Sequence, residues 1–298
     1  MVNNRPSVHY SQFTIDHSLK MTIAVLLATR NRKQKTVACL QSLQRQRLPQ
    51  GVKLSVHITD DASADGTPEA IKTVCPDANV YAGSGHLFWA GGMRYTWKQA
   101  VKSLPDFYLL LNDDTVLYEE AIASLVNTPS VENSLCIGTT KDPVTGERSY
   151  GGRKLTAKRS WRDDEVVLSE TEYLPCDVAN ANIMLVPKAV VNKIGILSDD
   201  YTHGLADYDY SLTVSRAGFK VYVAPGFLGE CVNDHGKSWK PQKTTLKQRI
   251  AYLKSPKGLA YKEYMTFIRK HFPLSYPSAF VKVWMKTFFP FIWETFRK

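Results

Sequence analysis

The chain has 298 residues, with 38 Lys or Arg against 28 Asp or Glu, and a formal net charge of +10. Hydrophobic residues make up 44% and charged residues 22%, which excludes a disordered or fibrous chain and allows one large α/β domain with appendages or two small domains. The charge is unevenly distributed. Residues 236–298 contain 14 basic and 2 acidic residues, a net +12, so the preceding part of the chain carries −2.

Cysteine usage and hydropathy indicate the compartment. The five cysteines are widely spaced and form no Cys-x-x-Cys pair, which argues against a disulfide framework or a zinc site and favours a reducing cytosol. The first apolar run, Thr22 to Ala28, is too short for a signal-peptide core with its flanks. No uncharged apolar stretch reaches about 18 residues, so we predict no membrane-spanning segment.

The first half of the sequence alternates strand-like and helix-like segments. The run from Thr22 to Ala28 is uniformly apolar, as in a strand that is buried on both faces. Thr67-Pro68-Glu69 is typical of a helix start, with proline at the first position and an acid in the first turn. Further strands are predicted at Lys53–Ile58, Asn79–Ala82 and Phe107–Leu111, and further helices after Arg32 and at Gly92–Ser103. This alternation predicts a mostly parallel sheet with helices on both faces.

The second half has a different pattern. Residues 136–187 contain short β-like pieces separated by turn residues, and a helix over Asp207–Ala217 precedes a strand over Phe219–Ala224. Two helical stretches follow, at Thr244–His271 and Ser278–Phe289. We therefore divide the chain into an N-terminal extension (1–20), a catalytic domain (21–239) and a basic aromatic helical tail (240–298).

Three polar clusters follow predicted strands: Thr29–Arg32, Asp60–Asp61 and Asp113–Asp114. The carboxyl ends of parallel strands line a common crevice where ligands bind. Carboxylates that converge there repel one another unless a cation or hydrogen-bond donors compensate. Oxygen-rich, thiol-free ligation points to Mg²⁺ or Mn²⁺, which bind through one or two carboxylates together with substrate phosphates. The crevice is therefore predicted to bind a nucleotide diphosphate.

Several motifs in the same order resemble family 2 glycosyltransferases of the GT-A fold, in particular bacterial rhamnosyltransferase-like enzymes of surface-polysaccharide synthesis. The resemblance covers about Met21 to Trp239. The motifs are Ala28-Thr29-Arg30-Asn31, Asp60 to Thr67, Asn112-Asp113-Asp114-Thr115, Gly204 to Asp209 running on to Arg216-Ala217-Gly218-Phe219, and His235. The first four of these motifs, in this order, make a more specific signal than any one of them.

The resemblance implies a role for each motif. Backbone around Ala28 and Thr29, with Asp61, would hold the base and ribose of a UDP- or dTDP-sugar, and Asp113 would contact the ribose. Asp114 and His235 would bind the metal that bridges the diphosphate. Asp207 would be the general base for the acceptor hydroxyl, in an inverting transfer to a glycan or a lipid-linked acceptor.

Other residues complete the predicted donor site. Arg30, Gly91, Gly92 and Arg94 are counted with the donor-binding residues, since the glycines of the stretch Phe88 to Tyr95 let backbone approach the donor. A simple turn at Gly91–Gly92 is the alternative. Two aromatic residues, Trp89 and Trp97, are predicted to shape the sugar pocket. The sequence departs from the family at Ala206 and Thr213, where many relatives have Glu and Arg, and this affects donor identity more than reaction type.

The tail combines positive charge with aromatic residues. Phe280, Val283, Trp284, Phe288 and Phe291 fall near one helical face, with Lys282 and Lys286 opposite. This pattern favours a helix in the interface of an anionic membrane, and places the enzyme in the cytoplasm, peripheral on the inner face of the cell membrane. Packing on the catalytic domain or in a homodimer is the alternative. Nucleic acid is not expected as a partner, because no binding motif accompanies the charge.

Each motif also has a simpler interpretation. Asp60–Asp61 is compatible with a turn that carries helix-capping acids, and Asp207 and Asp209 with first-turn acids of a helix. Two other functions therefore stay open. A sugar-phosphate nucleotidyltransferase should have a glycine-rich loop after the first strand, and Ala28 to Arg32 contains no glycine. A non-catalytic nucleotide- or carbohydrate-binding scaffold should bind ligand without turnover.

Overall fold

The computed structural model describes residues 20–157, 160–233 and 244–291. Its first half alternates strands and helices as the sequence predicts. The elements are β1 (Met21–Thr29), α1 (Lys33–Gln44), β2 (Val52–Asp60), α2 (Thr67–Val74), β3 (Asn79–Ala82), α3 (Phe88–Ala100) and β4 (Phe107–Leu111). Helix α2 has proline in its first turn together with Glu69, which explains why its start is readable from the sequence.

The second half begins with short strands and ends in helices. These elements are β5 (Val116–Leu117), α4 (Ala121–Val126), β6 (Ser134–Lys141), β7 (Arg148–Tyr150), β8 (Gly152–Ala157), β9 (Ser160–Val166), β10 (Leu174–Pro175), β11 (Val178–Ala179), β12 (Ile183–Pro187), α5 (Lys188–Ile194), α6 (Ala206–Arg216), β13 (Lys220–Glu230), α7 (Leu246–Lys254), α8 (Tyr261–His271) and α9 (Tyr276–Phe288).

The central sheet has the strand order β10-β13-β6-β12-β4-β1-β2-β3, with β5 paired to β13 and β7 to β6. Strands β3, β2, β1 and β4 are parallel, as predicted. Strand β12 enters antiparallel between β4 and β6, so the sheet is mixed. This insertion places the amino end of β12 beside the carboxyl end of β4. A smaller sheet has the order β11-β8-β9.

Helices cover both faces of the central sheet. Strand β1 shows why, because Ile23, Val25 and Leu27 join one buried cluster while Ala24 and Leu26 join the other. The first cluster contains apolar side chains of α1 and α4, and the second contains those of α3, α6 and α8. A strand buried on both faces needs apolar residues at every position, which is the pattern in the sequence.

Two predicted elements differ from the structure. Helix α3 starts at Phe88, before the predicted start at Gly92, so Gly91 and Gly92 both lie inside it and the alternative of a turn there is wrong. The Cβ of an alanine at position 92 would lie 2.8 Å from the Ala28 Cβ, so the glycine allows α3 to approach β1 closely. The predicted helix over Thr244–His271 is two helices, separated by a turn that contains Gly258. A Cβ at position 258 would collide with the Tyr252 carbonyl, so the turn requires glycine.

The C-terminal helices pack against the rest of the described chain. Phe267 and Ile268 of α8 are fully buried in the same cluster as Trp97 of α3 and Tyr210 of α6. On α9, Val283 is buried, although the sequence pattern placed it on the face predicted for lipid. Packing, one of the two alternatives for the tail, therefore accounts for α8 and for one face of α9.

No helix within the described ranges is long and apolar enough to cross a bilayer. The five cysteines are free thiols, and all but Cys75 are buried.

Candidate active site

The loops that follow β1 and β2 are tied together. Asn31 donates from its backbone N–H to Ser63 Oγ (2.8 Å) and accepts from the Ala64 N–H through its side-chain oxygen (2.7 Å). The Asp60 carboxylate accepts from the Ser63 N–H, as the simpler turn interpretation of this acid predicts. The two loops thus form one rigid rim at the carboxyl edge of the sheet.

Asp61 organises a third loop on this rim. Its carboxylate accepts from the backbone N–H groups of Gly85 (2.6 Å) and Leu87 (2.9 Å). Arg30 donates to the Gly85 carbonyl from its guanidinium, so both predicted donor-site residues hold segment 83–87 in place. This segment leads directly into α3.

A cavity of about 1100 Å³ opens at this edge. Ligand sites of this kind usually measure about 300–1,000 Å³, so the space exceeds that needed for one small molecule. The structure brings seven of the predicted site residues to the cavity wall. They are Ala28, Thr29, Arg30, Asp61, Asp113, Asp114 and Asp207.

Asp113 and Asp114 sit at the end of β4 and share one cation. Arg32 donates from Nη1 to Asp113 Oδ1 (3.1 Å) and to Asp114 Oδ2 (2.7 Å), and Lys35 lies 3.5 Å from the same Asp114 oxygen. Burial raises the pKa of Asp113 to about 6; the Arg32 charge opposes this effect and the Asp114 charge adds to it. The pair is therefore poised to accept a cation, which would hold Asp113 ionised.

These two acids fit a hard divalent ion. Asp113 Oδ2 is buried and has no hydrogen-bond partner among the described residues, and Asp114 Oδ1 accepts only a thiol contact from Cys231 at 3.6 Å. The donors are carboxylate oxygens, as Mg²⁺ and Mn²⁺ prefer. In the described ranges, no group of three or more His, Cys, Asp or Glu side chains is placed to hold a metal, so substrate oxygens and water would complete such a site. His235, the other predicted ligand, lies outside the described residues.

Asp207 is positioned at the same edge by β12. Its Oδ2 accepts from the Ala181 N–H (3.3 Å), and the next residue, Asn182, accepts through its carbonyl from the Asn112 N–H (3.1 Å). These two hydrogen bonds, one to the Asp207 side chain and one between backbones, connect Asp207 to the residue that precedes Asp113. Burial raises the pKa of the Asp207 carboxyl, which makes it a stronger base than an exposed aspartate.

Asp209, two residues along α6, has a different environment. It is buried and accepts from Tyr201 Oη (2.9 Å), Lys270 Nζ (2.8 Å) and His271 Nε2 (2.7 Å). Burial raises the pKa of Asp209, but the bonds from His271 and Lys270 lower it more, so it lies below its usual range. Of the two acids in this helix turn, Asp207 faces the cavity and Asp209 fastens α6 to α8.

Some predicted residues lie elsewhere. Gly91, Gly92 and Arg94 do not line the cavity, because α3 turns them away from it. Arg94 donates to the carbonyls of Ser198 (2.8 Å) and Tyr201 (2.6 Å) and supports the loop before α6. Trp97 is fully buried in the core, whereas Trp89 lines the cavity and donates to Asn112 Oδ1 (2.8 Å).

Sequence reasoning missed one wall of the cavity. It includes His203, just before the acidic motif, and residues 256–260 between α7 and α8. The Pro256-Lys257-Gly258 turn is visible in the sequence, but only the tertiary packing of α8 brings it to the cavity. Backbone strain also concentrates here: Asn31, Phe88, Leu205 and Ala260 line the cavity with φ between +48° and +64°.

Comparison with known proteins supports the fold. No curated protein matches the sequence significantly. Among solved structures, a mannosyltransferase from Pyrobaculum calidifontis in complex with GDP-Man and Mn²⁺ has a similar fold, with a TM-score of 0.52 and 16% identity. The similarity covers 79% of this chain and 61% of that one, so this chain matches less than two thirds of the neighbour's length. At this identity the likeness supports the GT-A fold alone.

The family model for glycosyl transferase family 2 matches residues 24–184, which are more than half of the sequence. The match includes the rim loops and the Asp113–Asp114 pair but ends before Asp207. The chain belongs to glycosyltransferase family 2.

Proposed function

We propose that the protein is a metal-dependent inverting glycosyltransferase. It moves a hexosyl or rhamnosyl group from a UDP- or dTDP-sugar to a hydroxyl of a glycan or lipid-linked acceptor, in bacterial surface-polysaccharide synthesis. One observation carries the proposal. The Asp113–Asp114 pair and Asp207 line a single cavity, and hydrogen bonds of Asn112, Asn182 and Ala181 link them.

The donor would lie against the rim formed by the loops after β1 and β2. Ala28, Thr29, Arg30 and Asp61 would hold its base and ribose, and Asp113 would contact the ribose. Asp61 and Arg30 already fix segment 83–87, so this wall needs little rearrangement on binding.

Asp114 and His235 would hold Mg²⁺ or Mn²⁺ on the donor diphosphate. When bound, such an ion supplies Lewis-acid stabilisation of the negative charge that develops on the departing nucleotide diphosphate. Arg32 contacts both Asp113 and Asp114, and it lines the cavity that would hold the diphosphate. On donor binding, the Arg32 guanidinium would give up its contact with one of these two carboxylates and donate to phosphate oxygens of the donor instead.

Asp207 would remove the proton from the acceptor hydroxyl. As the oxygen attacks the anomeric carbon, the bond from that carbon to the diphosphate breaks, and the proton passes to the Asp207 carboxylate. Attack from the face opposite the leaving group inverts the anomeric configuration. The N–H groups of Ala181 and Tyr208 hold this carboxylate in place.

The Asp207→Asn variant tests the assignment. Turnover should fall roughly 10²- to 10⁴-fold because the amide cannot accept the proton, while Mn²⁺-dependent nucleotide binding should persist. Nucleotide release from UDP-, dTDP- and GDP-sugars, with and without Mn²⁺ and in the presence of a lipid-linked acceptor extract, measures turnover. The exposed Asp200→Asn is the matched control.

Three outcomes separate the alternatives. No release from any donor would contradict the enzyme proposal and favour a binding scaffold. Pyrophosphate formation from a nucleoside triphosphate and a sugar phosphate would identify a nucleotidyltransferase. Full activity of Asp207→Asn would remove Asp207 from the mechanism.

We further propose that α9 lies on the cytoplasmic face of the inner membrane. Phe280, Met285 and Phe288 are exposed, and the Trp284 ring lies within 6.5 Å of the Phe280 and Phe288 rings. Phe289 and Phe291 continue this apolar surface, which we call the α9 aromatic face. A row of exposed rings beside lysines fits a lipid interface.

Flotation with anionic liposomes checks this proposal. Phe280→Ser combined with Phe288→Ser should reduce recovery in the lipid fraction, because both rings leave the α9 aromatic face. Val144→Ser, at a position with 86% exposure elsewhere, is the matched control. Equal recovery of both variants would argue against membrane binding, and a monomer–dimer change in the double variant would identify a second copy as the partner.

A further inference from the structure

The cavity contains one strong cation without a described counter-ion. Three of the described Lys or Arg residues line it, and two of them are engaged: Arg32 by Asp113 and Asp114, and Arg30 by the Gly85 carbonyl. Lys257 has no ion pair or hydrogen bond among the described residues, and its side chain is exposed at the cavity wall. Its ammonium is therefore free to meet a ligand.

His203 is the second unsatisfied group on this wall. Its Nδ1 is buried and has no hydrogen-bond partner in the described part of the chain, and its ring lies 6.2 Å from that of Phe88. Burial lowers the pKa of His203, the charges of Lys257 and Arg32 lower it further, and Glu263 opposes them. His203 and Lys257 line the same cavity as the Asp113–Asp114 pair, and the imidazole is close enough to Lys257 and Arg32 to be affected by both charges.

The turn that carries Lys257 is ordered by its own backbone. The N–H groups of Gly258 and Ala260 donate to the Ser255 carbonyl at 2.9 and 3.2 Å, and Leu259 N–H donates to Tyr252 O at 3.1 Å. Gly258 makes this turn possible, since any side chain there would strike the Tyr252 carbonyl. The fold thus holds Lys257 at the wall without help from a ligand.

We propose that His203 and Lys257 form an anion subsite that binds a phosphate group of a substrate in the cavity. This inference rests on the proposed function, because both the nucleotide donor and a lipid-linked acceptor carry phosphates. Lysine suits a phosphate as a compact point charge, and a neutral imidazole adds one N–H donor. The subsite uses none of the carboxylates assigned to the metal or to proton transfer.

Calorimetric titration of the full chain in the presence of Mn²⁺, on which nucleotide binding depends in the proposed function, tests the subsite. The probes are inorganic pyrophosphate, UDP and dTDP for the donor, and farnesyl diphosphate for a lipid-linked acceptor. Lys257→Gln should weaken binding of at least one probe about five- to tenfold, the loss of one charge-assisted contact. His203→Ala should weaken the same probe. Lys262→Gln, which removes an equal charge from the exposed surface of α8, is the matched control and should change binding less than twofold.

The probes distinguish the source of the phosphate. A loss of affinity confined to UDP or dTDP assigns the subsite to the donor. A loss of affinity confined to farnesyl diphosphate assigns it to the acceptor. If Lys257→Gln binds every probe with the same affinity as Lys262→Gln and the wild type, the subsite is refuted while the proposed function stands. If the wild type binds pyrophosphate through Lys257 but no nucleotide, the subsite stands and the proposed function fails. If the wild type binds no probe, both are overturned.

Discussion

At the scale of single residues, two adjacent glycines of α3 have different roles. Gly92 faces β1, where a Cβ would lie 2.8 Å from the Ala28 Cβ, while the nearest atom to a Cβ at Gly91 is 3.5 Å away. Gly92 therefore permits the close contact between α3 and β1, and Gly91 has room for a methyl group.

This difference predicts opposite effects of one substitution. Gly92→Ala should destabilise the fold by about 1–3 kcal/mol, because the helix must move away from β1. Gly91→Ala should be neutral or stabilise by up to about 1 kcal/mol, since alanine favours helix. Urea unfolding measures both, and combining Gly92→Ala with Ala28→Gly should restore part of the loss. Equal effects of the two substitutions would contradict this account.

The sequence predicted several of the residues that meet at the cavity, but it did not predict what every one of these side chains contacts. Asp113 and Asp114 were predictable because a buried apolar strand delivers them to a sheet edge. Arg94 was not, since only the folded loop shows that its guanidinium binds the carbonyls of Ser198 and Tyr201. A charged side chain near a motif does not reveal whether it will face the ligand or the protein's own backbone.

At the scale of elements, Asp209 connects α6 to α8. Lys270 and His271 donate to its carboxylate, and Arg216 donates from α6 to the carbonyls of both residues. The helix that carries Asp207 is thereby fixed to the C-terminal helices. This connection is also sensitive to pH.

His271 should give the protein a measurable loss of stability in acid. Burial lowers the pKa of His271, and the bond to Asp209 only partly offsets this effect. The unfolded chain, with a histidine pKa near 6.5, then binds more protons than the folded chain below that pH. The contribution of His271 to the free energy of unfolding is fully present above about pH 6.5. It is lost progressively as the pH falls from there towards the lower pKa of His271 in the folded state.

Comparison with His271→Gln isolates this contribution. Between pH 7.5 and 5.5 the wild type should lose up to about 1.4 kcal/mol more unfolding free energy than the variant, measured by urea unfolding at each pH. The other histidines whose pKa is lowered, His57 and His203, are present in both proteins, so their effects cancel. Parallel pH profiles would show that His271 does not titrate differently on folding.

Local sequence patterns predicted the bounds of an element well where particular residues, such as a proline or the ends of an apolar run, mark its start or end. Strands β3 and β4 have the predicted bounds, and the proline of α2 marks its start. The antiparallel entry of β12 depends on its neighbours in the sheet, and no local pattern encodes it. On α9 the apolar pattern gave the helix but not its orientation, because Val283 packs inward and Met285 outward.

At the scale of the whole molecule, the C-terminal helices belong to the core. Leu253, Tyr264, Met265, Phe267 and Phe272 are each at most 5% exposed and join the cluster that contains α3 and α6. The segment between α7 and α8 also supplies a wall of the cavity. The basic part of the chain is therefore structural as well as a candidate membrane surface.

A chain that ends at residue 243 should consequently fail to fold stably. Each buried side chain named above contributes about 1.5–3 kcal/mol, so their joint loss approaches the 5–15 kcal/mol that stabilises a typical protein. We expect strong binding of a hydrophobic dye and no cooperative thermal transition. A chain that ends at residue 291 should keep the cooperative transition. A stable, cooperative product ending at 243 would contradict the packing described.

The late position of α8 in the sequence has a consequence during synthesis. The parallel strands β1 to β4 are complete once residue 111 has been synthesised. Phe267, which packs in the same buried cluster as the helices on one face of these strands, is synthesised much later. At translation speeds of about 5–20 residues per second, the nascent protein exposes this apolar surface for roughly ten to thirty seconds. During that interval we expect a chaperone to bind the exposed apolar surface of the nascent protein. Slow codons before α8 would prolong the exposure.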